Sequence, residues 1–289
     1  MSREPTSRSV AVLASQVRAD ERRILDALDR RAVPYTRIDT RDSWGRAGDP
    51  ERGWAAALNR EIGQTRAYYA AVMLEARGTR VVNTAAAVEL CGDKWRTTLA
   101  LSRAGLPTPR TCLALTPAAA LAAMDAMGYP VVVKPLTGSW GRLVTLVPDH
   151  ATACSVLEYV AALPSPQSHI VYVQELVRKP DRDIRVLIVG GEVLGATYRS
   201  GRDWRTNVAR GAVSSRCELT ADIAKLAAAA ALTVGADIAG VDLLEDHCGG
   251  LLVLEVNQRA EFSGFQEAHG DRIDVADRIV DCLLAEAGA

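Results

Sequence analysis

Asp242 and Glu255 lie in two apolar runs, residues 239–244 and 251–257, separated by the turn-rich residues 245–250. That pattern predicts a β-hairpin. Facing positions in an antiparallel pair keep a constant sum, so a register with Asp246 opposite Leu251 sets Asp242 opposite Glu255. Strand alternation then puts Asn257 on the face of Glu255. Facing carboxylates repel unless a proton or cation sits between them. Two carboxylates and an amide oxygen are hard donors, suited to Mg²⁺ travelling with nucleotide phosphates. A solvated or salt-bridged carboxylate is the plainer alternative.

Lysine is scarce, with only Lys94, Lys134, Lys179 and Lys225 among 34 basic residues. A chain that otherwise uses arginine keeps lysine where a compact ammonium is needed, as against phosphate. Lys225 sits in an alanine-rich helical stretch and carries no such reading. Lys134 ends an apolar strand and is followed four residues on by Gly138-Ser139-Trp140-Gly141-Arg142. A glycine loop there can turn backbone N–H groups towards phosphate oxygens. It lacks the Gly-x-x-x-x-Gly-Lys-Ser/Thr pattern, and a plain hairpin turn would use the same residues. Asp183 and Arg185 share one strand face, as an exposed ion pair or as a ribose acceptor beside a guanidinium. Residues 199–211 hold four arginines (Arg199, Arg202, Arg205, Arg210) with Asn207, a loop suited to carboxylates or phosphates.

These residues need a scaffold. Strands at 9–14, 35–38, 54–58 and 80–83 alternate with helices at 20–31, with Asp20 as N-cap, and 64–77. That alternation predicts a parallel α/β unit over residues 1–88 with no catalytic set of its own. Residues 91–95 open a helix to about 104, followed by a helix at 117–127 and a strand at 131–134. Strands at 143–147, 170–175, 182–189 and 192–198 follow, with helices at 151–162, 221–234 and 273–287. The expected fold class is therefore α/β (α+β), in three units: 1–88, 89–172 and 173–289.

Across its 289 residues the chain is 48% hydrophobic and 24% charged with a net charge of −1, the balance of a soluble globular protein. There is no basic excess for nucleic acid and no run of about 20 apolar residues for a membrane. With no apolar core behind a basic cap near the N-terminus, no secretion signal is expected. Six cysteines without a Cys-x-x-Cys pair suit reduced thiols, so a cytoplasmic location is expected.

The segments Cys91-Gly92-Asp93-Lys94-Trp95, residues 128–135, Gly138–Leu143, Gln174-Glu175, Lys179-Pro180 and residues 182–186 occur in that order. Tyr198-Arg199, Trp204, residues 206–211, Asp242-Leu243 and Glu255-Val256-Asn257 follow. Together they resemble the ATP-grasp ligases, and within them the LysX branch of the RimK-like group. The likeness runs over about residues 80–270, and more loosely through the first strand and helix. It implies the ATP-grasp fold, with ATP held between two of three subdomains.

The resemblance implies roles as well. Lys94 and Lys134 would contact phosphates under a lid formed by Gly138, Ser139, Trp140, Gly141, Arg142 and Leu143. Gln174, Glu175, Leu176 and Val177 would hold adenine, and Asp183 the ribose. Asp242, Glu255 and Asn257 would hold Mg²⁺, as two ions. Arg185 and Arg210 would face the reacting carboxylate and phosphoryl oxygens. Arg199, Asn207, Arg210, Arg259, Glu261 and Phe262 would meet the amino-acid substrate. Family members acting on aminoadipate carry an Asn-His-Thr-Met-Glu-Phe type segment, where this chain has Asn257-Gln258-Arg259-Ala260-Glu261-Phe262.

The implied reaction is amide formation through an acyl phosphate, which needs no side-chain nucleophile. It would join an amino acid such as aminoadipate or glutamate to the C-terminal glutamate of a small acidic LysW-like carrier protein. The enzyme would be a dimer or tetramer. Two alternatives stand beside it: a RimK-like ligase adding an amino acid to a peptide or small molecule without a carrier, and a nucleotide-binding module without catalysis.

Overall fold

The computed structural model describes residues 9–48, 53–138, 142–201 and 212–288. Its first sheet is parallel, in the order β2-β1-β3-β4, from Val10–Leu13 (β1), Tyr35–Ile38 (β2), Ala56–Asn59 (β3) and Arg80–Val82 (β4). Helices α1 (Ala19–Arg30) and α2 (Gln64–Glu75) cover its two faces. The expected N-cap Asp20 lies inside the first turn of α1, because Arg18 takes the cap and its backbone N–H donates to Glu21 at 3.2 Å.

The helix expected to open at residues 91–95 forms, and a further short helix precedes it. α3 (Ala85–Cys91) ends at Gly92, and α4 (Lys94–Arg103) begins behind Asp93, whose carboxylate accepts from the Arg96 N–H at 3.0 Å. That cap satisfies a donor that the helix leaves open.

The middle sheet is antiparallel, order β5-β8-β6-β7: Thr111–Ala114 (β5), Val131–Lys134 (β6), Thr145–Val147 (β7) and Val171–Glu175 (β8). Helices α5 (Pro117–Met127) and α6 (His150–Ala161) close its core. A boundary at 172/173 cuts through β8, and α3 and α4 pack on the third sheet rather than the middle one. Chain order and packing therefore group these segments differently.

The third sheet is antiparallel, order β11-β10-β9-β12-β13. It is built from Arg182–Val189 (β9), Glu192–Ser200 (β10), Val213–Cys217 (β11), Ile238–Glu245 (β12) and Leu251–Asn257 (β13). On one face lies α7 (Ala221–Val234), capped by Thr220 and ended by Gly235 at φ 67°, a left-handed conformation that favours glycine. The other face shares a core with β1, β3, α1 and the last helix α9 (Val275–Gly288), through Leu187, Val189, Phe262 and Phe265. A short helix, α8 (Ser263–His269), follows β13. Among the described residues no helix is long and apolar enough to cross a membrane.

Candidate functional site

The β12–β13 hairpin pairs Asp242 with Glu255, but by another route than a uniform register. Its closing pair is Glu245 with Leu251, one step off the expected Asp246 with Leu251. The register then shifts between Leu243 and Asp242, where Leu254 is the extra residue on β13. Such a bulge re-aims the side chains beyond it. Asn257 joins them, its Nδ2 lying 3.1 Å from Glu255 Oε1 and 3.4 Å from Asp242 Oδ2. A half-turn of that amide presents its oxygen at the same place, because the two ends have nearly the same shape.

Two lysines come to Glu255 from other elements. Lys94 stands at the first position of α4, and its Nζ donates to the Gly138 carbonyl at 2.7 Å. Lys134 closes β6, and its Nζ donates to Gln174 Oε1 at 2.6 Å. Burial lowers the Lys134 pKa to about 8, with Lys94 adding to the effect. Lys94 is lowered by burial too, against the pull of Glu255. Burial acts to raise Glu255, but the charges of Lys94 and Lys134 outweigh it and hold the carboxyl at about 2.

Asp242 is placed differently. It is 1% exposed, and Arg185 on β9 grips it through Nε and Nη2, the latter at 3.0 Å. Arg199 on β10 adds a contact at 3.0 Å. Arg199 also pairs with Asp183, at 2.6 and 2.8 Å. Burial pushes the Asp242 carboxyl up against both guanidinium groups. Asp183 thus sits 4% exposed with both oxygens on Arg199, rather than turned to a ribose.

Lys94, Lys134, Arg185, Arg199, Glu255 and Asn257 border one cleft of about 400 Å³. The same cleft is lined by Arg18, Asp20, Glu21, Arg259 and Glu261. The N-terminal unit, expected to hold nothing of the site, supplies three of these. Arg60, 1% exposed, meets Glu21 at 3.0 Å and donates to the Ala260 carbonyl at 3.0 Å. Asp20 accepts from the Phe262 N–H at 2.8 Å and from the Ser263 hydroxyl. Arg259 is held at all three nitrogens: by the Arg60 carbonyl at 3.0 Å, Glu21 at 3.0 Å and Glu261 at 3.5 Å. One signal was available, since residues 18–21 follow the parallel strand β1 and such carboxyl ends are where α/β sheets bind ligands.

Three further expectations are revised. Phe262, taken for a substrate contact, is 0% exposed in the shared core, and Phe265 borders the cleft instead. Gln174 is 2% exposed, with its amide spent on Lys134, Tyr172 and Thr111. Glu175 is turned to Arg110 at 2.7 Å. Leu176 and Val177 are half-buried at the end of β8, with the Leu176 N–H 3.5 Å from the Pro130 carbonyl. Of the expected lid, Gly138 borders the cleft while Arg142 and Leu143 are exposed. Ser139, Trp140, Gly141, Asn207 and Arg210 lie outside the described residues.

Among the described residues no group of three or more His, Cys, Asp or Glu side chains gathers to hold a metal. A cation here would rest on two carboxylates and an amide. Glu255 and Asn257 face the cleft and fit a hard ion, and Asp242 keeps a lone pair on Oδ1 beside the Arg185 Nε contact.

Comparison with known proteins adds three findings. The family model of the RimK-like ATP-grasp domain matches residues 91–283, and that of the LysX preATP-grasp domain residues 10–90. The glutamate–LysW ligase ArgX of Sulfolobus acidocaldarius is 32% identical over 273 residues, 94% of this chain and 96% of that protein. The alpha-aminoadipate–LysW ligase LysX of Saccharolobus solfataricus is 35% identical over 206 residues, 71% of this chain and 75% of that protein. In structure, an ATP-grasp RimK domain protein from Sphaerobacter thermophilus aligns with TM-score 0.79 at 27% identity, covering 96% of this chain and 99% of that one.

Proposed function

Because the chain belongs to the RimK-like ATP-grasp family, with a LysX preATP-grasp domain at its front, we propose that this ATP-dependent ligase joins the amino group of an acidic amino acid to the C-terminal glutamate of a LysW-like carrier protein. Relatives whose names carry LysW pair it with glutamate or alpha-aminoadipate, and the glutamate ligase aligns over more of this chain. The observation that carries the reading is the convergence of Lys94, Lys134, Arg185, Arg199 and Glu255 on one cleft.

A carboxylate is a poor acyl donor because its leaving oxygen is too basic. Phosphorylation by ATP converts it to an acyl phosphate, which an amine opens to an amide with release of phosphate. Lys94 and Lys134 meet the phosphates as point charges. Arg185 and Arg199 present guanidinium groups where negative charge gathers during both steps. Glu255, Asn257 and Asp242 would hold two Mg²⁺ ions, whose positive charge would offset that of the phosphates. The backbone of Leu176 and Val177 meets adenine. Closure of the cleft at Gly138, which borders it, would keep water from the acyl phosphate.

The test is an intact-mass assay of carrier candidates ending in glutamate, with ATP, Mg²⁺ and either glutamate or aminoadipate. One amino-acid residue should be added per ADP released. Glu255→Ala should lower kcat by at least about 100-fold, as loss of a preorganised charge at the reacting centre does. ADP release without mass gain on any carrier, but with glutamate added to a free peptide, would replace the carrier reading with the carrier-free one.

A further inference from the structure

We propose that Gly240 is a positioning residue for this reaction, its missing side chain making the room in which the Arg185 guanidinium rests. The inference builds on the role given to Arg185 above. Arg185 on β9 stands opposite Asp242 on β12, and Gly240 lies two residues back on β12, opposite Leu187. Positions two apart share a strand face, so Gly240 and Asp242 form the floor across which the Arg185 side chain runs. Nε and Nη2 of Arg185 are engaged by the Asp242 carboxylate. The remaining nitrogen, Nη1, overhangs Gly240.

A Cβ on residue 240 would lie 3.1 Å from both Cδ and Cζ of Arg185 and well inside 3.0 Å of Nη1, closer than real Cβ atoms approach. Backbone conformation does not call for glycine here, since Gly240 is not among the positive-φ glycines. Space does. The obstructing atoms belong to the end of a flexible side chain, so alanine is accommodated by moving the guanidinium and leaving β12 in place. The substitution is therefore mild for the fold and severe for the position of one charge. Asn257 pairs with Gly240 on the other side, which sets the same glycine between the Arg185 guanidinium and the Glu255–Asn257 end of the cleft.

The experiment is a double-mutant cycle on the full chain: Gly240→Ala, Arg185→Lys and the two combined. It reads kcat, KM for each substrate, ADP affinity and melting temperature. Gly240→Ala should lower kcat by about 100-fold, the scale of an ångström's misplacement of a catalytic group, with ADP affinity and melting temperature unchanged. In the Arg185→Lys background, where no guanidinium is left to displace, adding Gly240→Ala should change kcat by no more than about twofold. Equal losses in both backgrounds, full activity of Gly240→Ala, or a parallel fall in melting temperature would each overturn the inference. If Arg185→Lys alone keeps wild-type kcat, the role of Arg185 fails and the inference with it, a result distinct from the additive one.

Discussion

Lys134 and Gln174 show how a single contact sets chemistry. The amide that would otherwise meet a ligand instead orients the lysine, through the 2.6 Å bond from Nζ to Oε1. Burial brings the free-enzyme pKa of Lys134 to about 8, against an ordinary 10.5. Phosphate favours the ammonium form and raises that pKa, so nucleotide binding at pH 8 should take up a proton. The sign follows: affinity for ADP is full below about pH 8 and declines as the pH rises through the free pKa towards the bound one. Calorimetry in two buffers of different ionisation enthalpy measures the uptake. Lys134→Met should reduce it, and an unchanged proton count in that variant would remove Lys134 from the phosphate site.

At the scale of elements, two junctions shape the cleft. One is the bulge at Leu254, which restores the Asp242–Glu255 pairing that the closing turn alone would have missed. The other is the first turn of α1, where Asp20 catches the Phe262 N–H and the Ser263 hydroxyl across 242 and 243 residues of chain. Asp20 is 5% exposed, so its loss strands a buried backbone donor. Asp20→Ala should lower unfolding stability by roughly 1–3 kcal/mol for that donor. The same change should raise KM for the amino acid while leaving KM for ATP near its wild-type value. Urea titration and initial rates separate the two effects, and a rise in both KM values would place Asp20 in general folding alone.

Across the whole molecule, the first and third sheets share one core and the middle sheet has its own. Phe262 is the hinge of the shared core, fully buried and 5.9 Å from the Arg60 guanidinium carbon over its ring. Phe262→Ala should destabilise the protein by about 3–5 kcal/mol, the cost of a large core aromatic replaced by alanine. Hydrogen exchange should then rise together in β1, β9 and α9, with β6 and β8 spared. Uniform exchange through all three sheets would show that the middle sheet does not open independently.

The local pattern carried most elements and the order of the motifs. The apolar periodicity of residues 182–189 and 221–234 coincides with β9 and α7, because alternation and the 3.6-residue repeat are local properties of the chain. Both cleft lysines were legible from their rarity, whereas the Asp242–Glu255 pair was reached through a register one step off that the bulge at Leu254 offsets. The short helix α3 was not legible, since seven residues give barely two turns of the helical repeat.

What sequence could not contain was the company each charge keeps. Asp183 and Gln174 are spent on neighbours, Phe262 belongs to a core, and Arg259 is pinned by Glu21 from the other end of the chain. Those partners are decided by which sheet faces pack together. Packing is set by burial of apolar surface over the whole molecule, and no window of the chain records which distant charge it brings alongside.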